Sequence, residues 1–279
     1  MPACTTQIKL SSAAIRSFRR KLYRYYRDHG RTLPWRTTRN PYHILISEVM
    51  LQQTQVDRVV QKYNEFIAAF PDFKTLARAP LRKILQVWQG MGYNRRALYL
   101  KKIAEEVVET FNGRLPKTVE ELMGLPGIGR NTACSITAFA FNKPVAFIET
   151  NIRSAFIHFF FNDRVDVHDR EILPLVEKAL DEKNPRQWYS ALMDYGVMLK
   201  KTQPNPSRKS AHHQRQSKFA GSNRQVRGMI IKLLTESPQL SEEEVIKKLR
   251  VFSARIKENF VQLIKEGLIK KKGQKFMIA

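Results

Sequence analysis

An all-α fold carrying a small α+β domain at its carboxyl end is predicted by three observations. From Ser12 to about Lys200, apolar residues recur at spacings of three and four, as in Val56, Val59, Tyr63, Phe66, Ile67 and Phe70. Over that stretch Val, Ile and Thr never alternate with polar residues long enough to mark a sheet. The chain closes on Gly267-Leu-Ile followed by KKKGQKFMI, in which Gly273 supplies the turn of a two-stranded wing.

The helices are separated where turn residues cluster: Leu33-Pro34, Asn40-Pro41, Phe70-Pro71-Asp72, Gly90-Met91-Gly92, Asn112-Gly113, Pro126-Gly127 and Asn184-Pro185. A tail over 1–11 precedes them. Residues 201–223 lie in a polar run rich in Pro, Ser, His and Arg and free of acidic residues, a basic arm or linker. Beyond it come helices around Gln225–Leu234, Ser241–Leu249 and Ser253–Glu266, the second entered through a Ser241/Glu244 capping pattern. Three helices and a wing over 224–279 look like a winged-helix domain. With 279 residues, one substantial domain over 12–200 plus this small one is the expected count.

Hydrophobic residues make up 43% of the chain, enough for a packed interior and too many for a disordered one. Lysine and arginine number 49 against 25 acidic residues, and the net charge of +24 points to a polyanionic partner rather than a metabolic small molecule. The two cysteines, Cys4 and Cys134, exclude a disulfide framework and a four-thiolate metal site within one chain. Adjacent His212 and His213 do not have the spacing of a zinc site. The opening MPACTTQIKL lacks the layout of a secretory signal, so a cytosolic or nucleoid-bound location is expected; a monomer is the expected state.

The stretch Leu125-Pro-Gly-Ile-Gly-Arg-Asn-Thr-Ala133 joins two helices. Pro126, Gly127 and Gly129 allow a tight turn, so that amides at the second helix's start, near Arg130 and Thr132, can point at a phosphate oxygen. Such a hairpin grips backbone without reading sequence.

Seven stretches occur in order: LPWR (33–36), PYHILISEVMLQQTQV (41–56), FPDFKTLARAP (70–80), WQGMGYNRRA (88–97), LPGIGRNTA (125–133), ETNIR (149–153) and MDYGVML (193–199). Together they resemble the helix-hairpin-helix (HhH-GPD) DNA glycosylases, and most closely the A/G-specific adenine DNA glycosylases. The resemblance covers roughly residues 15–200. It implies a two-subdomain helical fold with a cleft lined by Glu48 on one side and Glu149 beyond the hairpin, and duplex DNA with a mispaired or damaged base as the partner.

Excising adenine requires a general acid, because the base leaves poorly until a ring nitrogen is protonated. The resemblance assigns that acid to Glu48, whose neighbours Ile44, Leu45, Ile46, Val49, Met50 and Leu51 are all apolar; burial among them would raise its pKa. Glu149 stands where the family has an aspartate that stabilises the sugar cation. Its charge is the same and its side chain one methylene longer. Glu149 could equally serve as a negative charge at the start of a helix over Thr150–Phe161. Asn151 and Arg153 match the polar residues that follow the family's carboxylate, implying roles in orienting it and in holding a phosphate.

Asn131 takes the place of the lysine nucleophile of the lyase members, and an amide forms no Schiff base, so hydrolysis without strand cleavage is implied. Asn131 also departs from the hydroxyl residue usual in adenine-specific members, which leaves the excised base open. Gln52, Gln53 and Tyr93 match residues that fill or probe the gap left by a flipped base, with Arg95 beside them; Tyr93 could also be core. Arg36 is assigned to the base pocket or a phosphate. Where family members carry four cysteines for a [4Fe–4S] cluster this chain has the basic arm, so no cluster is expected, and Arg208, Lys209, Arg215 and Lys218 are assigned to phosphate contacts. Three functions remain: adenine excision opposite G or 8-oxoguanine, excision of another base such as thymine from T/G on the same fold, or DNA binding without catalysis.

Overall fold

A computed structural model describes residues 10–214 and 217–279. Cys4 and Arg215 lie outside the described residues. In chain order the first elements are α1 (Ser12–His29), a 3-10 turn (Pro34–Arg36), α2 (Pro41–Leu51), α3 (Val56–Ala69), α4 (Phe73–Arg78), α5 (Leu81–Val87), α6 (Arg95–Thr110) and α7 (Val119–Gly124). Then follow α8 (Arg130–Phe141), α9 (Thr150–Phe160), α10 (Asp169–Ala179), α11 (Pro185–Thr202) and a 3-10 turn (Pro206–Lys209). The carboxyl end holds α12 (Asn223–Glu236), β1 (Leu240–Ser241), α13 (Glu242–Leu249), α14 (Ser253–Lys265), β2 (Ile269–Lys272) and β3 (Lys275–Ile278). The predicted class, helical with a small sheet at the end, is the observed one. Among the described residues no helix is long and apolar enough to cross a membrane.

The chain packs as two units. The first combines the residues before Tyr42, Lys117–Glu120 and the run from Gly129 into the basic arm. Its core is aromatic: Phe18 of α1 meets Phe156 and Phe160 of α9 edge-on at 5.3 and 5.1 Å, and Trp188 of α11 at 5.7 Å. Leu22, Ile152, Val176 and Leu192 are fully buried around them. Burying side chains of this size stabilises by roughly 1.5–3 kcal/mol each, which is how α9 and α11 are held firmly enough to place polar groups.

The second unit contains Tyr42–Pro116, Glu121–Ile128 and the carboxyl-terminal helices and sheet. Trp88 is fully buried and meets Phe66 edge-on at 5.8 Å. The winged segment shares this unit because α5 caps α12: Arg82 Nε and Gln86 Nε2 donate to the Thr235 carbonyl at 2.9 and 3.1 Å. Ser241 and Glu244 form the predicted capping box, with Glu244 N donating to Ser241 Oγ at 3.2 Å and Ser241 N to Glu244 Oε2 at 2.6 Å. The wing has three strands rather than the two expected. Leu240 and Ser241 pair with Phe276 and Lys275, giving the antiparallel order β1-β3-β2. Two residues are too few to show alternation in a sequence. Phe260 of α14 stacks on Phe276 at 3.9 Å and seats the sheet.

Candidate active site

Glu149 ends an extended stretch and N-caps α9, with φ −118° and ψ 176°. Oε1 accepts from Asn151 N at 2.8 Å and Ile152 N at 2.9 Å, while Oε2 accepts from Asn151 Nδ2 at 3.0 Å. Asp, Asn, Ser and Thr are the usual caps; here the longer glutamate reaches the same amides, so its carboxylate is fixed at the positive end of a helix. The reading of Glu149 as a negative charge at a helix start is the geometry observed.

Lys200 completes this cluster, and nothing in the sequence singled it out. Its Nζ donates to Asn151 Oδ1 at 2.8 Å, forming a relay from Lys200 through Asn151 to Glu149. Burial pushes the Lys200 amine down, and the Glu149 carboxylate offsets part of that. The approach depends on Gly196, one turn earlier on α11, where a Cβ would sit 2.3 Å from the Asn151 carbonyl oxygen. On the other side Asn131 Nδ2 donates to the Ile148 carbonyl at 3.0 Å, tying the first turn of α8 to the residue before Glu149.

In the second unit, Glu48 lies half-buried on α2 between Ile44, Leu45, Ile46, Ser47, Val49 and Met50, each at most 2% exposed. The loops after α2 and before α6 carry Gln53 at φ 53° and Tyr93 at φ 47°. Left-handed backbone at non-glycine residues costs about 1–3 kcal/mol and persists only where surroundings enforce it. Arg96 enforces it here. Its guanidinium, in a residue 6% exposed, donates to the carbonyls of Val49, Met50 and Gln52 at 3.0, 2.8 and 2.7 Å and to those of Met91 and Gly92 at 3.1 and 3.2 Å. Burial pulls its pKa down to about 10, so it stays charged at neutral pH against the carbonyl end of α2. Tyr93 is also held from above: Arg224 of α12 donates to its hydroxyl at 2.9 Å and lies 5.5 Å from the ring centre.

In the hairpin, Gly127 has φ +75° and a Cβ there would meet the Tyr99 ring at 2.3 Å. Gly129 has ordinary backbone and open space around it, and no side chain caps α8. Arg130 and Asn131 at that helix start are exposed, Thr132 half-buried.

Two arginines have other employment than the sequence suggested. Arg36 is engaged within the protein: its Nη1 and Nη2 donate to Asp194 Oδ2 and Oδ1 at 2.7 and 2.8 Å, and Arg31 Nε donates to Oδ1 at 2.6 Å. Asp194 is 1% exposed, so it requires these cations as neighbours. Arg153 likewise forks onto Asp169, with Nε to Oδ1 at 2.7 Å and Nη2 to Oδ2 at 2.6 Å, rather than orienting Glu149. Lys209 Nζ donates to the Asn162 carbonyl and Arg95 Nε to the Tyr99 hydroxyl at 3.1 Å. Arg208, Lys218 and Gln53 are exposed, Gln52 half-buried.

A four-thiolate cluster does not fit the residues after α11. Lys200 stands at the start of a segment with no thiol. That segment is held by backbone pairing with Val167, whose N donates to the Lys209 carbonyl at 2.9 Å and whose carbonyl accepts from Ala211 N at 3.1 Å. Cys134 is buried in α8, and burial pushes its thiol up, away from the thiolate a metal needs.

This fold, with a carboxylate capping α9 and a glycine-turned hairpin leading into α8, defines a class. Residues 46–188 match the family described as HhH-GPD superfamily base excision DNA repair protein, and the chain belongs to that superfamily. It is 36% identical over 187 residues to an adenine DNA glycosylase of Buchnera aphidicola subsp. Baizongia pistaciae, an alignment covering 65% of this chain and 52% of the relative. It therefore spans about half the length of that protein. A thymine/uracil-DNA glycosylase of Methanothermobacter thermautotrophicus is 27% identical over 178 residues, covering 63% of this chain and 80% of that one. A solved thermostable thymine-DNA glycosylase shares the fold, with a TM-score of 0.61 at 24% identity over 70% of this chain and 91% of its own.

Proposed function

We propose that this chain is a monofunctional DNA glycosylase that hydrolyses the N-glycosidic bond of a flipped-out base, adenine opposite G or 8-oxoguanine, and works without an iron–sulfur cluster. The observation that carries the reading is the Glu149 carboxylate, fixed by three hydrogen bonds at the start of α9 with Asn151 and Lys200 behind it. In this mechanism Glu48 donates a proton to a ring nitrogen, the bond to C1′ breaks, and the base leaves with the bonding electrons. Glu149 stabilises the cationic sugar, orients the water that attacks C1′ and accepts the proton that this water gives up. Asn131 offers no amine, so the product is an intact strand with an abasic sugar. The exposed start of α8 after Gly127 holds a backbone phosphate, and Gln53 and Tyr93 fill the gap in the stack.

Thymine is the second reading, favoured by Asn131 at the hairpin and by the similarity to a thymine/uracil-DNA glycosylase. Single-turnover base release from duplexes with A opposite 8-oxoguanine, A opposite G and T opposite G tests both. Adenine release that falls about 100-fold or more in Glu48→Gln and in Glu149→Gln is the expected result. Release of thymine alone moves the specificity, and tight binding with no release from any duplex overturns the enzyme.

A further inference from the structure

The first unit carries a second cluster of cations that the chemistry above does not use. Arg20, Arg24 and Arg27 follow the spacing four, three, which places their side chains on one face of α1, and Arg31 follows just past the Gly30 cap of that helix. All four line an open cleft of about 790 Å³ together with Tyr23 and Asp181. Asp181 is the one carboxylate in the lining, and it is already engaged. It accepts the Tyr23 hydroxyl at 2.6 Å and the amide of Lys183 at 3.2 Å.

Arg27 pairs only with exposed Asp28, and Arg31 with buried Asp194. Arg20 and Arg24 make no hydrogen bond or ion pair among the described residues. Like charges at these spacings destabilise a helix, and the single lining carboxylate, Asp181, offsets at most one of the four cations. A multivalent anion would neutralise the others. Guanidinium groups bind phosphate oxygens in pairs, and from Arg20 to Arg27 α1 rises about 10 Å, a length that suits a chain of phosphodiesters better than one phosphate.

We propose that this arginine cleft is a second nucleic-acid contact, holding the phosphodiester backbone of a strand through Arg20 and Arg24. It shares no residue with the hairpin or with the Glu149 cluster. The phosphate chemistry stands on the cleft itself; that the phosphates belong to DNA rests on the proposed function.

The test counts phosphates. Binding of the whole chain to a long duplex is followed by fluorescence anisotropy over a range of salt, for wild type, Arg20→Ser/Arg24→Ser, and Arg170→Ser/Lys178→Ser as a control of equal charge outside the cleft. Each phosphate contact contributes about 0.9 to the slope of log K against log salt, so the cleft variant should lose about 1.8 and the control nothing. Melting temperature accompanies the measurement: relief of repulsion should leave the cleft variant at least as stable as wild type. An unchanged slope, or an equal loss in the control, overturns the proposal. Saturable binding of a free mononucleotide that needs Arg20 and Arg24, with the duplex slope unchanged, assigns the cleft to nucleotides and also overturns it. Base release by wild type is read separately, so a reduced slope without release sinks the glycosylase reading and leaves the cleft.

Discussion

Replacing Asp194 by Asn should unfold the protein at markedly lower temperature, because one buried carboxylate neutralises two arginines. Its oxygens accept from Arg31 N, Arg31 Nε, Arg36 Nη1 and Arg36 Nη2 at 2.8, 2.6, 2.7 and 2.8 Å. Removing one partner of a buried pair costs about 3–5 kcal/mol. The Arg31 side chain is 29% exposed and recovers part of its hydration, whereas Arg36 is 12% exposed and recovers little, so the lower end, about 3 kcal/mol, applies. At about 2–4 °C per kcal/mol for a chain of this size, the melting temperature falls by roughly 6–12 °C. Burial alone would raise the Asp194 carboxyl, but the hydrogen bonds and charge of Arg36, aided by Arg31, outweigh it and hold the group below its usual range. A depressed carboxylate contributes stability above its unfolded value, and that contribution is lost as pH falls through the folded one. Thermal unfolding of wild type and Asp194→Asn from neutral pH into the acid range should therefore show a gap that closes on the acid side. A gap below about 1 kcal/mol at neutral pH, or one that persists in acid, would refute this account of Arg36.

The relay behind Glu149 is tested by Lys200→Met, which removes the donor to Asn151; losing a hydrogen bond from a charged group, worth about 1.5–3 kcal/mol, should slow single-turnover release ten-fold or more. Lys200→Arg should recover part of that rate, and an unchanged rate in Lys200→Met would show that Asn151 needs no anchor. Tyr93→Phe and Arg224→Met, combined in a double-mutant cycle on base release, should couple by about 0.5–3 kcal/mol, since α12 reaches Tyr93 through Arg224; additive effects would mean the winged segment does not support that turn.

Much of this protein is legible along the chain because its signals are local. Helical periodicity, the Ser241/Glu244 box and the start of α9 at Glu149 each depend on residues within four positions of one another, and so does the Gly127 turn. The strand at Leu240–Ser241 escapes because it exists only by pairing with Phe276 and Lys275. The sequence also presents Gly196 within MDYGVML without saying why; the answer is the Asn151 backbone passing against it.

By itself the sequence determined the helical class, the large net positive charge and the placing of Glu149 at a helix start. Only the tertiary structure decided which cations are spoken for. Arg36 and Asp194 are 158 residues apart, Lys200 and Asn151 49, and Arg96 and Met50 46. Every exposed-looking arginine in a basic sequence is a candidate for phosphate, and a buried carboxylate or carbonyl brought in from a distant helix removes it from that list. The reason is that charge is a property of the residue, but its availability to a ligand depends on the desolvation and partners that folding imposes.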